Sequence, residues 1–307
     1  MGMIFDEVCS SVAAPTSPIQ MSSYFAGLTA SLSGLTLGAL AFILGKKEAA
    51  PPPTIALFTF SLLVLGLDAL MFATISARQP STGGPKPGEE YLCYLAGARL
   101  MPAIGLLIVG AISLFAGIGW MVAQYAKVNE IENVSFASLC GILISIIGIT
   151  TAFFLVDGSL EYLYFVNFPE TPSNFAKVSI VIFGTTTALV GCSLVLMRTV
   201  GLCRYLKHHR SWGDQLTTPR FTAMAIAAIA TGCYGLFCAL YIGGITWIHS
   251  VDMLRSAGVV WSAIGLCLVP PLLIFVVIGY AVPGTKAHHS WKRYRQPSTD
   301  LAKQVGQ

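Results

Sequence analysis

Seven long apolar runs, parted by short polar connections, determine the solvent in which most of this chain must fold. They lie at about 22–45, 54–77, 99–123, 135–156, 176–198, 221–247 and 256–282. A helix needs about 20 mostly apolar residues to cross roughly 30 Å of hydrocarbon, and in lipid its backbone groups must bond within the segment. Each run meets that length. The sequence therefore predicts an all-α membrane protein of seven transmembrane helices spanning 22–282, with a tail at 1–21 and a basic tail at 283–307. Charged residues make up only 10% of the chain, against about a quarter in soluble domains. The longest interruptions between spans are about 20 residues, too short for a soluble domain. Lys46-Lys47-Glu48 and Pro51-Pro52-Pro53 end the first span, and Pro80 to Pro85 forms a turn-rich link between the second and third.

Orientation follows from the basic residues, which accumulate on the cytoplasmic side of short loops. With the N-terminus outside, 13 fall inside: Lys46, Lys47, Lys127, Arg198, Arg204, Lys207, Arg210, Arg220, Lys286, Lys292, Arg293, Arg295 and Lys303. Five fall outside: Arg78, Lys86, Arg99, Lys177 and Arg255. The C-terminus is thus expected in the cytoplasm, and the plasma membrane is the expected location. The tracts Arg204–Arg210 and His288–Arg295 suit anionic lipid at that face. Basic residues placed beside apolar spans speak for lipid and against nucleic acid as the partner. Tyr162, Tyr164, Phe165 and Phe168 cluster after the fourth span, and Trp120 and Trp247 lie near span ends, as interface anchors do. The first twenty residues carry Asp6 and Glu7 and no basic start, so no cleavable signal peptide is expected.

Of eight cysteines, only Cys9 and Cys93 fall in segments expected outside, where they could form a disulfide. Cys203, beside Arg204 at the inner face, has a context that permits palmitoylation. No cysteine or histidine set has metal-site spacing, and no cofactor is expected.

The chain also resembles itself. Pro102–Val122 and Ser262–Val282 share nine identities in 21 positions, including Ala-Ile-Gly-Leu. Ala69–Ser76 of the second span resembles Ala239–Thr246 of the sixth. Order and direction are kept, which predicts a parallel internal repeat of three helices, a linking fourth, and three more. In layout this resembles the SWEET sugar transporters and, more distantly, opsin-like seven-helix proteins. The proline-glutamine signature of the former is missing, and the seventh span has no lysine for a retinal Schiff base. Parallel repeats of this kind build transporters that bind substrate between the halves near the midplane.

Asp68 is the sharpest candidate site residue, about 20 Å into the second span from its cytoplasmic end. An ionisable group at such depth is costly and usually serves ion or proton movement, or pins helices together. Arg99, near the outer end of the third span, is its expected partner. Pro270-Pro271 should break the seventh span near its middle, either exposing backbone carbonyls to a substrate cavity or, as is commoner, leaving a kink absorbed by packing. Thr185, Thr186 and Thr187 are expected to bond back to their own helix. Gly34 with Gly38, and Ala228, Gly232, Gly235, Ala239 and Gly243, are expected to serve helix packing within the molecule. HExxH, GxSxG and phosphate-cradling glycine loops are missing, which disfavours an enzyme. The preferred reading is a small-solute or proton-coupled transporter. The alternative is a non-catalytic sensor or accessory subunit of a membrane complex.

Overall fold

A computed structural model describes residues 18–45, 52–77, 89–128, 134–167, 170–208 and 218–281, with only the backbone described near several helix ends. Seven long helices occupy these segments: α1 (Pro18–Leu44), α2 (Pro52–Ser76), α3 (Glu89–Val128), α4 (Val134–Asn167), α5 (Asn174–His208), α6 (Thr218–Ile245) and α7 (Ala257–Ala281). All seven are long and apolar enough to cross a bilayer, and the chain is a multi-pass integral membrane protein. Pro52 opens α2 at a position where the missing N–H costs nothing. A one-turn helix, Val251–Leu254, joins α6 to α7, and the Ser250 side chain caps it by accepting from the Met253 N–H.

α3 forms the centre and packs against α1, α2, α4, α6 and α7. Leu65 faces Gly110 and Phe58 faces Gly117, so α2 and α3 run antiparallel in close register. The Ser61 hydroxyl donates to the Gly110 carbonyl at 2.8 Å and fixes that register. On the other side, the Phe275 ring of α7 lies between Gly148 of α4 and Gly191 of α5, in space that any side chain at either glycine would occupy. Gly232 and Gly235 admit Phe60 and Val64 of α2, so these two serve internal packing as expected, whereas Gly243 is exposed and meets nothing. Gly34 and Gly38 do not follow that expectation. Both lie on the exposed side of α1 with open space around them.

The structure corrects several other expectations. α4 does not end near residue 156 but continues to Asn167, and Tyr162, Tyr164 and Phe165 lie on it rather than in a loop. Trp120 is buried in the core and is no interface anchor, whereas Trp247 is exposed. The two triplets also pack differently. α1 lies closely along α2, while α5 packs on α4 and α7 with no equally close contact to α6. Gly105 of α3 is crowded by α7 backbone, yet its sequence counterpart Gly265 meets nothing.

Candidate functional site

Asp68 is completely buried on α2. Its register opposite α3 sets its depth. Because Leu65 faces Gly110, Asp68 stands about level with Leu107, in the middle of the bundle. The Thr29 hydroxyl of α1 points to Asp68 Oδ2 at 3.2 Å and to the Phe25 carbonyl at 2.7 Å, so one proton is shared between two acceptors. Asp68 Oδ1 has no hydrogen-bond partner among the described residues. One turn away, Phe25 and Phe72 pack ring to ring at 5.4 Å and close the site on that side. A buried carboxyl with one oxygen unmatched is an expensive arrangement, because desolvation is repaid only by hydrogen bonds or an opposite charge.

The expected Asp68–Arg99 pair does not form. Arg99 is buried on α3, eight residues nearer the Cys93 end than Leu107, or about 12 Å along the axis. The described partner of Asp68 is Thr29, which no local sequence signal distinguishes from the other hydroxyls of α1.

Pro270 and Pro271 do not break α7, which is one continuous helix from Ala257 to Ala281. Proline cannot donate to the carbonyl four residues earlier, so Pro270 frees that of Leu266 and Pro271 that of Cys267. The Tyr234 hydroxyl of α6 donates to the Leu266 carbonyl at 2.8 Å. Gly105 brings the α3 backbone against the other: a Cβ there would lie 3.2 Å from Cys267 Cα and 3.3 Å from its oxygen. Neighbouring helices thus absorb the defect. The helix that carries Tyr234, α6, packs on α2, which carries the acid. Sequence reading missed Tyr234, whose only signal is a phenol placed mid-span.

Two predictions arise here. Tyr234→Phe should destabilise the bundle by about 1–3 kcal/mol, the cost of leaving a buried carbonyl unmatched, read as a lower thermal midpoint in detergent. Gly105→Ala should displace the Tyr234 hydroxyl and press on the Cys267 backbone, and thermal unfolding should show a similar loss of about 1–3 kcal/mol from overpacking.

The hydroxyls of Thr185 and Thr187 donate to Val181 and Phe183 carbonyls of their own helix at 2.6 and 2.8 Å, as expected, and Thr186 bonds Ile182 likewise. Cys93 is buried and disulfide-bonded. Cys192, Cys233, Cys238 and Cys267 are free thiols. Cys9 and the tract His288–Arg295 lie outside the described residues, and of Cys203 and Arg204 to His208 only the backbone at the end of α5 is described. Among the described residues, no three His, Cys, Asp or Glu side chains gather as a metal site would need. No protein-family model, no curated protein and no solved structure matches this chain.

Proposed function

We propose that this membrane protein is a proton-coupled transporter of a small solute, with Asp68 as the group that exchanges the proton. The observation that carries the reading is the Asp68 carboxyl itself: fully buried, held at one oxygen by Thr29 and unmatched at the other. Acids so placed within membrane spans are typical of proton relays. A protonated carboxyl offers one donor, whereas an ionised one needs donors at both oxygens. Taking up or releasing the proton therefore changes what α1, α2 and α6 must supply around Asp68, and Tyr234 transmits that change to the proline turn of α7. In this reading Pro270 and Pro271 lie beside the substrate path, and Arg99 is a buried charge nearer its outer mouth.

In this reading the N-terminus lies outside, the C-terminus lies in the cytoplasm, and the membrane is the plasma membrane. The distribution of basic residues supports that orientation. The disulfide at Cys93 adds support, because disulfides form in oxidising compartments. Cys9 is its proposed partner, Cys203 the proposed acylation site, and anionic lipid the proposed contact of the basic tracts.

The test is a proton-flux measurement in vesicles containing a pH-sensitive dye, with the full chain reconstituted as wild type and as Asp68→Asn. Flux above protein-free vesicles that disappears in Asp68→Asn supports the reading. Flux equal in both removes Asp68 from the mechanism. A second reading, a sensor or accessory subunit, draws on a different observation. The proline turn is filled by Tyr234 and Gly105, and Phe275 fills the space between Gly148 and Gly191. Wild-type vesicles no leakier than empty ones under every gradient and solute tried would favour that reading.

A further inference from the structure

Asp157 and Glu161 are a second acidic feature, on the side of α4 turned away from the bundle. Their depth follows from contacts. The Val156 side chain fills the space beside Gly184, which Leu268 also approaches, so Asp157 stands level with the middle of α7 and close to the depth of its prolines. Lys177 lies over the Tyr164 ring at 5.2 Å. Asp157 is seven residues, or about 10 Å, further from that end of the helix. Both acids fall within the stretch of α4 apolar enough to span a bilayer.

The rest of this face is apolar. Ile142, Ile146, Ile149 and Phe153 are exposed at three- and four-residue steps leading to Asp157 and Glu161. Neither acid makes an ion pair or hydrogen bond among the described residues, and the charge acting on Glu161 is Asp157, of like sign. Lipid cannot solvate such a pair, and residues of this kind within spans ordinarily meet an opposite charge. The described residues of this chain do not supply one at that depth. Among the described cations, Lys177, Arg198 and Arg255 lie toward helix ends, and Arg99 is buried. A second copy would set acid against acid.

We propose that this face of α4 docks a transmembrane helix of another protein that carries Lys or Arg near its midpoint. The apolar stripe supplies van der Waals contact. The two carboxylates, one turn apart, clasp the cation and fix the depth of the partner. The inference is independent of the role given to Asp68.

The test reconstitutes the labelled full chain in lipid vesicles with a single-span polyleucine helix bearing lysine at its centre, and reads association by energy transfer. The lysine helix should bind about tenfold tighter than a helix with leucine there, the step expected for satisfying a charge within the membrane. A helix with central glutamate should bind no better than the leucine helix. The double variant Asp157→Asn, Glu161→Gln should reduce the lysine helix to leucine-helix binding. If the double variant fails to insert, the swapped pair decides: the Asp157→Lys, Glu161→Gln chain should capture the glutamate helix instead. Equal binding of lysine and leucine helices to the wild type, unchanged binding by an inserted double variant, or failure of the swapped pair would overturn the proposal.

Discussion

Asp68→Asn should lower proton flux in reconstituted vesicles about 100-fold, the scale on which a positioned proton-transfer group acts. Asparagine keeps the shape of the side chain, and its amide oxygen can still accept from Thr29. What it cannot do is take up or release the proton. Insertion and thermal stability should therefore change little, which separates lost transfer from lost folding. Thr29→Val should have a smaller effect, since it removes one donor from a hydroxyl already shared with the Phe25 carbonyl. Asp68→Glu should behave differently again. It retains the proton but forces an extra methylene into a site closed by Phe25 and Phe72, at a cost of about 1–3 kcal/mol.

The largest stability effect is expected at Phe275. Lipid tails are as apolar as the ring, so removing the ring from water contributes little to helix association here. Close van der Waals packing carries that role in a membrane. The ring fills the space left by Gly148 and Gly191, joining α4, α5 and α7 at one point. Phe275→Ala leaves a void at that junction and should cost about 3 kcal/mol or more, seen as a marked fall in thermal midpoint in detergent or lipid. Gly148→Leu and Gly191→Leu should fail comparably from the opposite cause, because the new side chains and the ring require the same volume. A Phe275→Ala protein as stable as wild type would mean that the three helices are held elsewhere.

The seven crossings were legible in the sequence because the membrane asks only for length and apolarity, which are local properties. So was the depth of Asp68, which follows from counting residues along a helix. Its partner was not. Thr29 and Asp68 meet only because α1 packs on α2, and the more conspicuous Arg99 is separated by the register that Leu65 and Gly110 set between α2 and α3. Pro270 and Pro271 show how a local rule can be overridden: the Leu266 carbonyl is met by Tyr234, Gly105 lets α3 pack closely beside Cys267, both are distant in sequence, and the helix continues. The most instructive error concerns Asp157. A charge after an apolar run reads as the end of a span, so the sequence ends the fourth at about residue 156 and leaves Asp157 and Glu161 outside it. α4 continues to Asn167 instead, and its outward face brings two acids to mid-bundle depth. Which helices face lipid is a tertiary property, and the fourth span gave no periodic signal to reveal it.

Seven crossings with the Cys93 end outside underlie the depth of Asp68, the proposed orientation of the chain and the position of the α4 face. Accessibility to a membrane-impermeant maleimide tests them directly, with single cysteines replacing Ser81, Ser211 and Ser298 in a chain whose other reactive surface thiols have been removed. Labelling of Ser81→Cys on intact cells, with Ser211→Cys and Ser298→Cys labelled only after permeabilisation, is the predicted result. Labelling of Ser298→Cys from outside, or of Ser81→Cys only after permeabilisation, would contradict it.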